Sequence, residues 1–132
     1  MAWTYKAGIP IYTQIISIIK TRIANGTYPA GTRLPAVREL AVDAGVNPNT
    51  MQRALAELER SGIIYSVRTS GRFVTEDTAM LRDLRRSLGR EQIAELFASL
   101  RALGMTEDEI VAAVQEWRTA PTDEREVQDG NT

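Results

Sequence analysis

The chain has 132 residues, 43% of them hydrophobic, enough for one ordinary domain or for a small module with an appendage. It contains neither cysteine nor histidine, which excludes disulfides, thiolate metal sites and thiol nucleophiles and removes the commonest general base and metal ligand. The net charge of −1 hides a division: residues 1–75 carry nine Lys and Arg against four acids, a net +5, and residues 76–132 carry seven Arg against thirteen acids, a net −6.

A basic front half suits a polyanionic partner, and the acidic back half does not. Catalysis by carboxylates alone would need acids converging in a pocket that a chain this small struggles to enclose, so an enzyme is disfavoured and no cofactor or metal is expected. No stretch approaches the roughly 18 apolar residues needed to span a bilayer. No basic segment leads into an apolar run at the start. The expectation is a soluble, cytoplasmic protein without membrane attachment.

The first periodic segment is Tyr12, Ile15, Ile16, Ile19 and Ile23, with polar residues between, which predicts an amphipathic helix from about Ile11 to Asn25. Pro10 suits its first turn and Asn25-Gly26 its end. A turn-rich connection, Thr27 to Thr32, leads to Arg33-Leu34, held extended by Pro35. A second helix is predicted from about Pro35 to Ala44, burying Val37, Leu40 and Ala41, with Gly45 as left-handed cap. Asn47 is an N-cap candidate for a third helix, with Pro48 at its first position and Met51, Ala54, Leu55 and Leu58 as its inward stripe. Ile63 to Val67 and Phe73 to Thr75 read as strands of a hairpin around Arg68-Thr69-Ser70-Gly71-Arg72. Two strands alone are marginal, so a third partner from Arg33-Leu34 is expected, with packing on the helices through Ile64 and Phe73.

Beyond Glu76 the pattern is helical. Leu81, Leu84, Leu88, Ile93, Leu96, Phe97, Leu100 and Leu103 describe a long element from about Thr78 to Leu103, in which Gly89 is either tolerated or a break. Gly104 stops it. Thr106 and Glu109 have capping-box spacing for a last helix with Ile110, Val111, Val114 and Trp117 on its apolar face. From Pro121 the residues are polar, and residues 121–132 are expected to be a disordered tail. Helix, tight turn, helix and a two-stranded wing is an order that presents one helix to a DNA groove, so the expected organisation is a winged helix-turn-helix DNA-binding domain over 1–75 and a helical region over 76–120, mainly α with a small β wing.

The run Tyr12-x-Gln14-Ile15, Gly26, Gly31-x-Arg33-Leu34-Pro35-x-x-Arg38-Glu39-Leu40-Ala41, Gly45-Val46, Asn49-Thr50, Ala54-Leu55-x-x-Leu58, Gly62 and Gly71-x-Phe73-Val74 resembles the winged helix-turn-helix of GntR-family bacterial transcription regulators, over about residues 9–75. The short helical remainder, with Leu103-Gly104-Met105-Thr106-x-x-Glu109-Ile110, resembles the YtrA subfamily, whose members dimerise through two helices. The resemblance implies a homodimeric regulator, acting as a repressor, on an inverted-repeat operator in double-stranded DNA. Two departures stand out: Thr69 occupies a position where the family commonly has glycine, implying shallower wing insertion, and Arg72 replaces a small hydroxyl residue, which adds charge for a phosphate.

Arg38 stands on helix two where the family contacts DNA, and its guanidinium can bind guanine or phosphate bidentately. Asn47, Asn49, Thr50 and Gln52 lie at the start of helix three, nearest the base edges, although capping alone could occupy Asn47. Arg53 faces outward one turn on, to read a base or hold the backbone. Arg68, Thr69, Ser70 and Gly71 form the wing tip, for minor-groove or phosphate contact. Arg33, Lys20 and Arg22 are lesser phosphate candidates, for each of which an ordinary surface charge is the commoner reading. The stripe Leu81, Leu84, Leu88, Ile93, Leu96, Phe97, Leu100, Ile110, Val114 and Trp117 exceeds what two helices can bury against each other, and a two-fold dimer is its commonest use. A small-molecule effector site between these helices is a rarer one. The rival to the whole scheme is a winged helix that binds a protein, without specific DNA binding.

Overall fold

A computed structural model describes residues 3–129, with side chains through Arg125. α1 (Ile11–Ala24), α2 (Val37–Ala44) and α3 (Pro48–Ser61) pack around Ile15, Ile19, Leu40, Met51, Leu55 and Leu58, all essentially inaccessible to water. These are the faces that the threefold and fourfold apolar spacing selects. α2 starts at Val37, two residues later than expected, because Pro35 and Ala36 remain extended, with Ala36 at φ −62 and ψ 154. Gly45, at φ +71, reverses the chain between α2 and α3 in a conformation that a Cβ disfavours.

β1 (Ile64–Val67) and β2 (Gly71–Val74) form the antiparallel hairpin, with Ile64 opposite Val74 and Tyr65 opposite Phe73. Alternation sends the Ile64–Val74 pair into the core and the Tyr65–Phe73 pair outward, where the two rings stack with centroids 5.9 Å apart. Phe73 is therefore not the residue that anchors the wing to the helices. Val74, fully buried, takes that part. The expected third partner is present: the Leu34 N–H donates to the Arg72 carbonyl at 2.8 Å, the Val74 N–H to the Thr32 carbonyl at 2.9 Å, and the Gly31 N–H to the Val74 carbonyl at 3.0 Å. Arg33 pairs with Phe73 as an isolated bridge.

An arm that sequence periodicity does not mark covers one side of this core. Trp3 Nε1 donates to Asp43 Oδ2 at 2.8 Å, and Tyr5 Oη to the Ala44 carbonyl at 2.7 Å. Under this arm Arg22 is buried at 6% exposure, its guanidinium 4.3 Å from the Trp3 ring centroid and hydrogen-bonded to Tyr28 Oη at 3.0 Å. Arg22 is thus withdrawn from the phosphate candidates.

α4 (Thr78–Ala102) runs through Gly89 without a break, and α5 (Glu107–Thr119) starts at the expected capping box of Thr106 and Glu109. The chain divides into two compact units, 1–88 and 89–132, the first of which takes in about the first three turns of α4. Leu84 is buried in the first unit's core, with Leu81 and Leu88 packed against it. Leu84 is thereby taken from the expected dimer surface, while Leu81 and Leu88 are half-buried within the protomer. α6 (Thr122–Asp129) replaces most of the expected disordered tail. The Glu124 N–H donates to the Pro121 carbonyl, and Asp123 and Glu124 in the first turn complement the helix dipole. Residues 130–132 lie outside the described residues. No described helix is long and apolar enough to cross a membrane.

Candidate nucleic-acid interface

α3 owes its start to a side chain: Asn47 Oδ1 accepts the Asn49 N–H at 2.8 Å, and Pro48 fills the first helical position. The Asn47 oxygen is therefore engaged in capping. Asn49, Gln52 and Arg53 are exposed and Thr50 is half-buried. Arg38 is exposed on the side of α2 away from Leu40, Ala41 and Ala44, with no ion-pair partner among the described residues. A guanidinium without an ion-pair partner among the described residues, in the same unit as a run of short polar side chains, suits a ligand that offers both phosphates and base edges.

The wing is fastened to α3 by a residue that sequence pattern does not single out. Glu59 Oε1 accepts from Ser66 Oγ and from Arg72 Nε, each at 2.6 Å. Arg72, expected to offer charge to a phosphate, is thus committed to this brace, with its side chain only 19% exposed. The Ser66 hydrogen bond, the Arg72 hydrogen bond and the Arg72 charge together outweigh desolvation and hold the Glu59 carboxyl below its ordinary value of 4.5. A carboxylate with a lowered folded-state pKa contributes stability that is complete above its unfolded pKa and disappears as pH falls through the folded one. Glu59→Gln should therefore cost about 1 kcal/mol at neutral pH, after allowance for partial exposure. It should also flatten the loss of stability below about pH 4.5, which urea melts across pH 3–7 would register.

At the wing tip the Val67 carbonyl accepts the Ser70 N–H at 3.0 Å, closing a turn with Thr69 at its third position. Thr69 has φ +69, the one non-glycine residue with positive φ among those described. A β-branched residue there carries about 1–2 kcal/mol of strain, part of which a glycine would return through unfolded-state entropy. Thr69→Gly should raise stability by about 0.5–1 kcal/mol in thermal denaturation. An unchanged or lower melting temperature would mean that the turn is not strained. Gly71, at φ +108, lies so close to Arg33 that an added Cβ would stand 2.9 Å from Arg33 Nε. Its lack of a side chain leaves the exposed Arg33 guanidinium resting on the wing base. Arg33, Thr69, Gly71 and Arg72 line, with Pro35 and Val37, an open depression of about 390 Å³ between α2 and the wing.

The candidate residues, an exposed Arg38, the polar start of α3 and a tip of Arg68, Thr69 and Ser70, all belong to the first unit. Residues 11–74 match the family described as bacterial regulatory proteins, gntR family. The HTH-type transcriptional repressor YtrA of Bacillus subtilis is 36% identical over 101 residues, 76% of this chain and 78% of its own. The chain belongs to the GntR family. A GntR family transcriptional regulator from Listeria monocytogenes matches with a TM-score of 0.76 at 40% identity, over 85% of this chain and 98% of that one. The DNA-binding domain of AraR, solved in complex with operator ORX1, matches with a TM-score of 0.51 at 27% identity, over 55% of this chain and 93% of its own. This GntR chain is a DNA-binding transcription regulator similar to YtrA.

The second unit of this GntR protein carries the other candidate surface. Among residues 89–125 only Ile110 is buried. Ile93, Leu96, Val114 and Trp117 are exposed at 42–56%, while Phe97 and Leu100 are half-buried. Leu103 and Val111, outside the expected surface, are exposed as well. Leu96, Leu100, Ala113, Val114 and Trp117 line an apolar groove of about 410 Å³.

Proposed function

We propose that this GntR protein acts as a homodimeric repressor on an inverted-repeat operator, with the second unit as its pairing surface. One observation carries the pairing: a helical unit with a single buried residue among those described cannot hold itself together, and its large apolar side chains remain in water. A second copy of the same face would cover them with two-fold symmetry. Two α3 helices would then enter successive major grooves about one helical turn apart, roughly 34 Å, which requires a palindromic site. Arg38, Asn49, Thr50 and Gln52 read base edges, and Arg33, Arg68, Thr69, Ser70 and Gly71 meet the backbone or minor groove. Asn47 contributes by capping α3. That YtrA is called a repressor supports repression.

Selection of bound duplexes from a random pool, with sedimentation equilibrium on the same preparation, tests both parts. A two-fold symmetric consensus and a dimer mass are the expected results. A monomer binding a single unsymmetrical site would overturn the pairing.

A further inference from the structure

Arg53 is the exposed cation of α3 whose part the outward direction of its side chain leaves open. With Met51, Ala54, Leu55 and Leu58 turned to the core, helix geometry puts Asn49 and Arg53, one turn apart, near the outermost line of α3 and Gln52 toward one flank. α1 bounds the flank opposite Gln52, and the long Arg53 side chain reaches toward it. There the guanidinium stacks on the Tyr12 ring, 3.7 Å from its centroid, and has no ion-pair partner among the described residues. Tyr12 lies in the first turn of α1, a turn without an acidic residue.

A guanidinium that uses its face for a ring keeps its in-plane N–H groups free for an anion. The ring fixes the plane and holds the group to the α1 side, away from the line on which Asn49 lies. A helix lying in the major groove turns its outermost residues to the base edges and has a sugar–phosphate wall along each flank, so a group drawn off that line to the α1 side approaches a wall. We infer that Tyr12 is the positioning residue of Arg53 and that the pair grips a backbone phosphate at the α1 edge of α3, not a base. This rests on α3 being the helix that enters the groove.

The test titrates the selected operator and a shuffled duplex over a range of salt with full-length protein. Arg53→Ala should weaken both duplexes by the same factor and reduce the slope of log affinity against log salt by about one. Tyr12→Leu should weaken both by roughly 2- to 5-fold, Tyr12→Phe should restore wild-type binding, and Tyr12→Leu combined with Arg53→Ala should bind no worse than Arg53→Ala alone. Altered base preference in Arg53→Ala, or full additivity in the double variant, would overturn the inference. Arg53 is exposed, so its variant tests the phosphate assignment even where a Tyr12 variant folds poorly. Wild-type protein that does not distinguish the two duplexes would instead defeat the groove position of α3.

Discussion

Leu96→Glu combined with Trp117→Glu should convert the protein to a monomer and lower operator affinity by about a hundredfold or more, toward the micromolar or weaker range of non-specific binding. The two residues are 44% and 50% exposed in the protomer, so the substitutions leave its interior untouched. They line one groove, and in a two-fold pair each charge would face its own symmetry mate or the apolar wall of the other copy. In the proposed pairing both half-sites are held by one particle, and a monomer would forfeit the second half. Sedimentation equilibrium and a titration on the selected operator read the two effects separately. Variants that remain dimeric with unchanged affinity would move the pairing surface elsewhere.

Arg38→Ala should cost about 1–3 kcal/mol of operator affinity, a factor of roughly 5 to 150, and relax the consensus at one position of each half-site. The exposed side chain has no ion-pair partner among the described residues, so its removal leaves no buried charge behind and stability should change by less than about 0.5 kcal/mol. The loss would then be a property of the complex alone. Equal affinity for wild type and variant at low salt would remove Arg38 from the interface. A uniform loss on all sequences would reassign it from bases to phosphate.

The helices of the first unit were legible because each element's apolar spacing, cap and turn agree with one another: Asn47, Pro48 and the Met51–Leu58 stripe of α3 say the same thing three ways. The capping box of α5 is equally local. What could not be read are contacts between residues far apart in sequence. Nothing near Arg22 announces that Trp3 and Tyr28 will enclose it, and Glu59 meets Arg72 across thirteen positions. The stripe of α4 has one unbroken period, so its leucines look alike although Leu84 is buried and Leu96 is not. In β2 both Phe73 and Val74 are suitable for a core, and only the register against β1 chooses between them. Polar composition misled at residues 122–129, where the acidic first turn of Asp123 and Glu124 suits the start of a helix.

The ladder joining residues 31–34, β2 and β1 stops at the Val67–Gly71 pair. Arg68, Thr69 and Ser70 project beyond it, outside the hydrogen-bonded frame that the Glu59 brace ties to α3. The tip is in effect an interchangeable bit on a fixed handle: sequences of equal length could be grafted there to retune how the duplex is probed, while the frame beneath keeps its shape.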